Sequence, residues 1–390
     1  MISAVMPSYS RADIVFDRGE GMYLVATDGR RFLDFGSGIA VNSLGHAHPH
    51  LVAALKAQAE KLWHCSNLYR VAGQEKVAGR LIAHSFADTV FFSNSGAEAM
   101  EGVIKLVRKY QSETGHPERY RIIVAQGAFH GRTLATLAAG GKEKHLEGFG
   151  PVVEGFDRVA YNDLAAVRAA IGPQTAGILV EPIQGEGGIM PAHLDYLRGL
   201  RAIADEFGIL LAMDEVQTGN GRTGKLYAHE WAGIAPDVLG TAKGLGGGFP
   251  VGAILATEKA AVGMTAGTHG STFGGNPLAM AAADAVLDIL LADGFLEHVQ
   301  QMGTLLWDTL GRLVEAHPKV LEDRRGAGLL QGLKCKVPNT ALSKSLFDHG
   351  LLAVGAGDNV VRLVPPLIVE PKHIAEAAAI IDKSCEELAS

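Results

Sequence analysis

Cysteine is scarce in this sequence of 390 residues. Only Cys65, Cys335 and Cys385 are present, and they lie far apart along the chain. Such spacing forms neither a disulfide framework nor a metal-binding cysteine pair, and it suits the reducing cytosol. We therefore expect a cytoplasmic protein.

Long apolar runs and an excess of basic charge are also missing. No stretch of about 18 apolar residues occurs, so no membrane span is expected. Residues 1–11 have no long apolar stretch after a basic start, so we expect no signal peptide. The net charge is −7 with dispersed acidic residues, which does not suggest a surface for nucleic acid.

The composition that remains is that of a large globular protein. Hydrophobic residues make up 47% and charged residues 20%, enough apolar mass for a large core divided between roughly two domains. The 49 glycines follow no collagen period, so many of them are expected at tight turns or beside a ligand.

From residue 89 onward, apolar strands alternate with amphipathic helices. Strands that are apolar on both faces and separated by helices predict an α/β domain with a mostly parallel, buried sheet. The predicted helices are GAEAMEGVIKLVRKYQ and LDYLRGLRAIADEFG. The predicted strands are TVFFSN, RIIVAQG, GILVEPIQ, ILLAMDEV, DVLGTAK and FPVGAILAT.

The two ends of the chain follow other patterns. The first 50 residues predict a hairpin that turns at Asp28-Gly29, and a helix follows from about residue 50 to 61. A long helical region at 276–317 precedes short strands and a final helix from about His373, which predicts a smaller α+β domain. We expect a large domain at 51–275 and a small domain at 276–390 that residues 1–50 join.

Two residues at predicted strand ends suggest the chemistry. Asp214 ends the strand ILLAMDEV, and Lys243 follows the strand DVLGTAK beside a glycine cluster. Taken alone, each has a simple structural explanation, as a turn-capping aspartate and a surface lysine. Together they match the needs of pyridoxal phosphate, which requires a lysine at its aldehyde carbon and an acid at its ring nitrogen.

Three further segments carry candidate ligands, each weak by itself. Ser95, Gly96 and Ala97 open a helix, where free backbone N–H groups bind phosphate, although Ser95 and Glu98 also have capping-box spacing. In AFHGRTLAT, Phe129 can stack on a flat cofactor and Arg132 can clamp a carboxylate, or they serve packing and surface charge. In THGSTFGGNP, hydroxyls of Ser271 and Thr272 can donate to a phosphate.

Two other motifs suggest different functions. GNGRTG at 219–224 has the outline of a dinucleotide site, with Asp237 as the downstream acid, but the segment after it is a poor helix. This motif keeps a nicotinamide-dependent dehydrogenase open as an alternative. GHAHPH at 45–50 offers His46, His48 and His50, yet Pro49 and the turn composition favour a loop over a metal site. We expect no metal.

Taken together, these segments resemble the class III aminotransferases, a family of pyridoxal-phosphate enzymes of fold type I. The resemblance extends over nearly the whole chain and keeps the order and spacing of the motifs. It is carried by YLVATDGRRFLDFGSGIAVNSLGHAHP, LWHCSNLY, FFSNSGAEAMEG, AFHGRT, EPIQGEGGI, LLAMDEVQTGNGRTGKLYAHE, PDVLGTAKGLGGGFPVGA and STFGGNPLA.

The resemblance implies roles at the cofactor. Lys243 would be the Schiff-base lysine, and Asp214 would hold the pyridinium N–H. Phe129 and Val216 would cover the two ring faces, and Gln217 would reach the phenolic oxygen. Gly96 and Ala97 would cradle the phosphate, and Thr272 would reach it from the partner subunit, so a homodimer is implied. The full cofactor-binding set comprises Ser95, Gly96, Ala97, Phe129, Asp214, Glu215, Val216, Gln217, Lys243 and Thr272.

The resemblance also implies how substrates bind. Arg132 would grip the α-carboxylate of the substrate, with Ser271 nearby, and Glu186 would pair with Arg362. That ion pair would stay intact while an ω-amine donor is bound, and the second carboxylate of 2-oxoglutarate would break it.

Within the family, the sequence is most similar to acetylornithine aminotransferases. Ile39 stands where ornithine aminotransferases carry a tyrosine, which leaves room for an N-acyl group, while Met100 departs from the usual asparagine. The implied reaction moves the ω-amino group of N2-acetylornithine to 2-oxoglutarate. A succinylornithine, succinyl-diaminopimelate, ornithine or 4-aminobutyrate transaminase, an aminomutase and a non-catalytic homologue remain alternatives.

Overall fold

The structure is a computed structural model that describes residues 4–390, so residues 1–3 of the segment assessed for a signal peptide lie outside it. Its strands, in chain order, are β1 (Phe16–Glu20), β2 (Tyr23–Ala26), β3 (Arg31–Asp34), β4 (Thr89–Ser93), β5 (Arg121–Ala125), β6 (Phe156–Val159), β7 (Thr175–Val180), β8 (Ile183–Gln184), β9 (Met190–Pro191), β10 (Leu210–Asp214), β11 (Val238–Thr241), β12 (Gly252–Ala256), β13 (Leu321–Ala327), β14 (Leu330–Cys335), β15 (Leu351–Leu352), β16 (Val354–Ala356) and β17 (Val360–Leu363).

The helices, in the same order, are α1 (Ser37–Ala40), α2 (Pro49–Ala59), α3 (Ala72–Ala83), α4 (Gly96–Glu113), α5 (Leu134–Gly140), α6 (Glu143–Leu146), α7 (Leu164–Ala170), α8 (Leu194–Phe207), α9 (Pro277–Leu290), α10 (Phe295–Ala316), α11 (Asn339–Asp348) and α12 (Pro371–Ala389). Short 3-10 turns occupy Ala228–Ala232, Lys243–Gly246 and Ala260–Gly263. None of the helices within residues 4–390 is long and apolar enough to cross a membrane.

A seven-stranded sheet forms the centre of the molecule, in the order β4-β12-β11-β10-β7-β5-β6. Strands β11, β10, β7, β5 and β6 pair in parallel, whereas β12 is antiparallel to both of its neighbours. The predicted fold class, α/β with a mostly parallel central sheet, is confirmed. The sheet brings the carboxyl ends of its parallel strands to one edge, where ligands bind in such folds.

Helices cover both faces of this sheet because its strands are apolar on both sides. Ile122 and Leu179 contribute to a cluster with α4, and the alternate positions Ile123 and Ile178 pack with α8. This alternation follows the two-residue period of a strand. The sheet is thereby held between two layers of helix.

The chain termini build a second, smaller region. Strands β13, β14, β17 and β16 form an antiparallel sheet beside α10 and α12, as the predicted α+β region requires. Strands β1, β2 and β3 form two successive hairpins, and the second, β2-β3, has Asp28-Gly29 in its turn, as predicted, with Gly29 at φ 89°. Its strand β3 also pairs in parallel with β15 near the other end of the chain.

One local feature departs from the sequence prediction, and another is unusual for its residue type. The helical region expected at 276–317 is two helices, since the backbone turns between them and Gly294 adopts φ 83°. In α1, Gly38 and Ile39 have φ values of 61° and 66°, so this turn is left-handed. A β-branched residue rarely adopts that conformation, because its Cβ crowds the backbone.

Candidate active site

A cavity of about 240 Å³ lies at the carboxyl ends of the central strands. Loops that follow β4, β5, β7, β10 and β11 meet there, as the parallel topology dictates. Most of the residues predicted for the site line it, namely Gly96, Ala97, Phe129, Arg132, Glu186, Asp214, Val216, Gln217 and Lys243.

Lys243 lies just after β11 and opens onto this cavity. Its backbone has φ 44°, an uncommon conformation for a residue with a side chain and one that often marks a functional site. Burial, and then the positive charge of Arg362, lower the pKa of Lys243 to about 8. At pH 7 roughly a tenth of its amine is therefore neutral and nucleophilic, a far larger fraction than in an ordinary lysine.

Asp214 is the last residue of β10, and its carboxylate is buried. Oδ1 accepts a hydrogen bond from Val216 N at 3.0 Å, and Oδ2 lies 2.8 Å from His130 Nδ1. Burial by itself would lower the pKa of His130, but the hydrogen bond and charge of Asp214 outweigh it and raise that pKa. The pair thus keeps a negative carboxylate in a buried position beside a histidine that favours its protonated form.

The N-terminus of α4 forms another wall. The backbone N–H groups of Gly96 and Ala97 donate to no acceptor within residues 4–390 and are free for an anion. Only glycine fits at position 96, because a Cβ there would lie 2.7 Å from Val216 Cγ1. The N-terminus of α4 is therefore packed directly against the side chain of Val216.

Phe129 and Arg132 come from the segment after β5. Gly131 has φ 139°, and a Cβ on it would lie 2.8 Å from Thr136 Oγ1, so this turn requires glycine. The Arg132 guanidinium carbon is 5.6 Å from the centre of the Phe129 ring. Arg132 is exposed and has no ion-pair partner in the described part of the chain, so its charge is available to a ligand.

Glu186 and Arg362 form an ion pair at the side of the cavity. Arg362 is fully buried, and its Nη1 donates to Glu186 Oε1 at 2.5 Å and to Gln217 Oε1 at 2.9 Å. Burial would raise the pKa of Glu186, but Arg362 lowers it below its ordinary value. Nε and Nη2 of Arg362 are buried without a partner in residues 4–390, so the guanidinium has spare donors.

Two residues that line the cavity, His130 and Glu181, are not among the site residues predicted from the sequence. Glu181 follows β7 directly and is buried, with Oε1 accepting from Phe129 N at 2.8 Å. An acid placed immediately after a wholly apolar strand is the signal that would have identified it.

Several predicted residues lie outside this cavity. Ser95 caps α4 by accepting from Glu98 N at 3.2 Å, while Glu98 accepts from Asn94 N at 2.7 Å and not from Ser95 N. Glu215 is buried on the other side of the chain, where it accepts from Ala228 N and His229 N. Ser271 and Thr272 lie in the loop before α9 and do not line the cavity of their own chain.

The GNGRTG segment at 219–224 forms turns between the two regions of the molecule. Leu329 N donates to Arg222 O at 3.0 Å, and Arg222 Nη1 returns a bond to Leu329 O at 3.1 Å. A short 3-10 turn follows this segment, where a dinucleotide fold requires an α-helix. The dinucleotide interpretation is therefore not supported by the local structure.

Two histidines of the histidine-rich segment at 45–50 pair with aspartates outside the cavity. His46 Nε2 lies 2.8 Å from Asp34 Oδ2, and His50 Nε2 lies 2.8 Å from Asp288 Oδ2. Across residues 4–390, no group of three or more histidine, cysteine, aspartate or glutamate side chains is arranged to hold a metal ion.

The residues of the cavity suit pyridoxal phosphate. The free N–H groups of Gly96 and Ala97 suit a phosphate, and Phe129 and Val216 both line the cavity and offer apolar surface to a flat ring. Asp214 is a buried anion that suits a protonated ring nitrogen, and Lys243 supplies an amine of lowered pKa. Three sides of the cavity therefore match the phosphate, the ring nitrogen and the aldehyde.

Known proteins of similar sequence and fold are aminotransferases. The Aminotransferase class-III family model matches residues 5–385. An acetylornithine aminotransferase of Brucella melitensis biotype 1 is 61% identical over 381 residues, which cover 98% of this chain and 94% of that relative. The crystal structure of N-acetylornithine aminotransferase from Stenotrophomonas maltophilia K279a superposes with a TM-score of 0.85 at 37% identity and covers 98% of both chains.

A second solved structure names the cofactor. The ornithine aminotransferase from Toxoplasma gondii, crystallised in the presence of oxidised glutathione, has partial occupancy of pyridoxal phosphate at its active site. It superposes with a TM-score of 0.95 at 30% identity, over 99% of this chain and 94% of that one. By the family match and the identity of its relatives, this chain belongs to the class-III aminotransferases, which depend on pyridoxal phosphate.

Proposed function

We propose that the chain transfers the ω-amino group of N2-acetylornithine to 2-oxoglutarate, giving N-acetylglutamate 5-semialdehyde and glutamate. The observation that carries the chemistry is the placement of Lys243 and Asp214 at neighbouring strand ends, facing one cavity. The acyl-ornithine donor is suggested by the relatives that share 50% to 61% of their residues with this chain and are named acetylornithine aminotransferase.

Each cavity residue has a role in this proposal. When bound, pyridoxal phosphate supplies an electron sink for the carbon that carries the amine. Lys243 holds the cofactor at its aldehyde end and, once released, Lys243 Nζ takes the proton from Cδ of the donor as a general base. Asp214, backed by His130, keeps the ring nitrogen protonated by its negative charge. The N–H groups of Gly96 and Ala97 hold the phosphate.

Phe129 and Val216 cover the ring, and Gln217 is placed to reach its phenolic oxygen. Among the remaining predicted ligands, Ser95 caps α4 and so fixes the helix end that presents Gly96 and Ala97 to the phosphate. Glu215 would act indirectly, because its carboxylate accepts hydrogen bonds from backbone N–H groups that lie away from the cavity. It supports the turn that carries Val216 and Gln217.

Substrate binding uses the charged groups at the cavity wall. Arg132 has a free guanidinium for the α-carboxylate of the donor. Ser271 lies outside the cavity of its own chain and, like its neighbour Thr272, would reach a substrate only across a dimer. Glu186 and Arg362 stay paired for the ω-amine donor, whose apolar stem carries no second carboxylate. When 2-oxoglutarate binds, its second carboxylate takes the place of Glu186 at Arg362, where the unpartnered Nε and Nη2 supply further donors.

A homodimer fits the surface near Thr272. Leu62, Trp63, Leu68, Tyr69 and Phe273 expose apolar side chains in this area, and Asn67 Nδ2 ties the segment to Ser271 O at 2.8 Å. Such a cluster is larger than scattered surface residues and is typical of an interface. In the dimer, Thr272 would reach the phosphate in the cavity of the partner subunit.

Three broader assignments belong to the same proposal. The role is arginine biosynthesis in the cytoplasm, as the donor implies. The domains are 51–275 for the large cofactor-binding domain and 276–390 for the small domain, with residues 1–50 joined to the latter. The pairing of β3 with β15 supports this joining of the N-terminal segment.

The test is the absorption spectrum of the purified protein, followed by addition of single amines. We expect the near-visible band of the bound cofactor to disappear with N2-acetylornithine and to return with 2-oxoglutarate. A band that responds to succinylornithine, ornithine or 4-aminobutyrate but not to N2-acetylornithine would support a transaminase and contradict N2-acetylornithine as its donor. A protein without such a band after addition of pyridoxal phosphate would contradict the cofactor assignment.

A further inference from the structure

Glu181 is a buried acid of the cavity with no part in the roles assigned so far. It follows β7, between the strand ends that carry the Phe129 segment and Asp214, and it lines the cavity together with Lys243. Within residues 4–390, no lysine, arginine or histidine forms an ion pair with it. A buried, unpaired carboxyl is costly to keep, so its presence needs a reason.

The carboxyl group of Glu181 joins two loops. Its Oε1 accepts from Phe129 N at 2.8 Å, and its Oε2 accepts from Gly185 N at 3.4 Å. The first loop carries Phe129 and Arg132, and the second carries Glu186. One side chain therefore ties the loop that covers the ring to the loop that carries the ion pair with Arg362.

The charged and titratable groups that face Glu181 come from four neighbouring segments. They are His130, Asp214, Lys243 and the phenol of Tyr161, whose hydroxyl donates to Glu181 O at 2.7 Å. Burial raises the pKa of Glu181 to about 7, with His130 opposing this shift and Asp214 adding to it. Glu181 thus changes charge near neutral pH next to the His130–Asp214 pair.

We propose that Glu181 is a positioning residue that fixes the Phe129 and Glu186 loops and that, by its own ionisation, adjusts the charge of the His130–Asp214 pair at the cofactor ring. When Glu181 is ionised, its negative charge stabilises the proton that His130 and Asp214 share. When it is neutral, the pair loses that support and the ring nitrogen is held less firmly in its protonated form. The inference rests on the proposed contact of Asp214 with the ring nitrogen, and not on the identity of the amine donor.

Two substitutions separate the roles of the carboxyl. Glu181→Gln keeps the size and one acceptor oxygen but removes the charge, whereas Glu181→Ala removes the hydrogen bonds as well. Glu230→Gln is the matched control. Burial also raises the pKa of Glu230, and its Oε1 accepts from a backbone group, Tyr227 N, at 2.6 Å, but it lies outside the cavity.

The first readout is the absorption spectrum of the bound cofactor as a function of pH, with no amine present. The spectrum reports protonation of the ring and of its link to Lys243. We expect the wild-type protein and Glu230→Gln to share a spectral transition near pH 7, and Glu181→Gln to lose it. A transition that persists unchanged in Glu181→Gln, or that no protein shows, overturns the proposal.

The second readout is the unfolding temperature of the cofactor-free proteins, which a structural role also affects. Because Glu181 binds its proton more tightly in the folded chain than in the unfolded one, the wild type loses stability as the pH rises from about 5 to about 7. Glu181→Gln and Glu230→Gln should each lose less over this range. A purely structural Glu181 would give this result without the spectral change.

Cofactor retention completes the test. We expect Glu181→Ala to raise the dissociation constant of pyridoxal phosphate by about tenfold, because Phe129 N loses a buried partner. Retention equal to the wild type would contradict the positioning role. None of these measurements uses an amine, so a wrong donor leaves them unaffected, whereas a protein that binds no pyridoxal phosphate refutes this inference and the proposed cofactor together.

Discussion

His130 Nδ1 lies 2.8 Å from Asp214 Oδ2, and both side chains are buried at the end of the central sheet. The pair gives a negative carboxylate a fixed orientation toward the cavity. We predict that Asp214→Asn, which keeps the shape and removes the charge, lowers kcat by about 100-fold or more. Steady-state transamination measures this, with the exposed Asp205→Asn as control. Activity within a few-fold of wild type would remove Asp214 from the mechanism.

Lys243→Ala should abolish turnover. The amine both holds the cofactor and moves the proton of the donor, and loss of the second function alone is expected to cost at least about 1000-fold in kcat. Glutamate release in the presence of 2-oxoglutarate measures the loss. Lys225→Ala, which removes a lysine stacked on Trp231 outside the cavity, should leave the rate unchanged. Near-normal kcat in the first variant would refute the assignment of Lys243.

Glu186→Ala should weaken discrimination between ω-amine and α-amine donors. Without the carboxylate, Arg362 is unpaired at all times and accepts a second negative group from any donor. The ratio of kcat/KM for N2-acetylornithine to that for glutamate should fall by about tenfold, the scale of one lost charged hydrogen bond. An unchanged ratio would show that the ion pair does not control which class of substrate binds.

The pH dependence of cofactor capture tests the lowered pKa of Lys243. Only the neutral amine attacks an aldehyde, and the neutral fraction grows as the pH rises through the folded-state value of about 8. Stopped-flow mixing of cofactor-free protein with pyridoxal phosphate should give a rate that rises to about pH 8 and then levels off. A rate that still rises steeply above about pH 9 would show an ordinary lysine.

Gly96→Ala should weaken phosphate binding. The new Cβ would lie 2.7 Å from Val216 Cγ1, so either Val216 or the end of α4 must move. We expect the dissociation constant of pyridoxal phosphate to rise, as measured by fluorescence titration. Gly79→Ala is the control, since no atom lies within 4 Å of its added Cβ and it should stabilise α3 by about 0.5–1 kcal/mol. Equal retention in both variants would contradict the close fit at Gly96.

Asp214 and Lys243 could be found in the sequence because each follows an apolar strand of a recognisable parallel sheet. The two strands proved to be direct neighbours, with Asp214 paired to Gly240. Glu215 shows the limit of this reasoning. Successive side chains along extended backbone point to opposite sides, so the residue next to a cavity aspartate faces away from the cavity. Its bonds to Ala228 N and His229 N could not be read from local sequence.

The relationship of Glu181 to Phe129 depends on tertiary structure and not on a motif. The two residues are separated by α5, α6, β6, α7 and β7, and only the strand order β7-β5 brings them together. The left-handed backbone at Ile39 is likewise invisible in the sequence, because a β-branched residue predicts an extended conformation. The candidate acyl-specificity residue is therefore held in a conformation that its own preference opposes.

The pairing of β3 with β15 has a consequence for how the protein is made. The ribosome releases the β2-β3 hairpin before the central sheet, but its strand partner, Leu351–Leu352, is synthesised only after every strand of that sheet. The apolar side chains of the hairpin, among them Phe32 on one face and Leu33 on the other, therefore lack part of their packing while the central sheet assembles. Assembly of this region is consequently late, and chains truncated before residue 351 leave it open to aggregation and proteolysis.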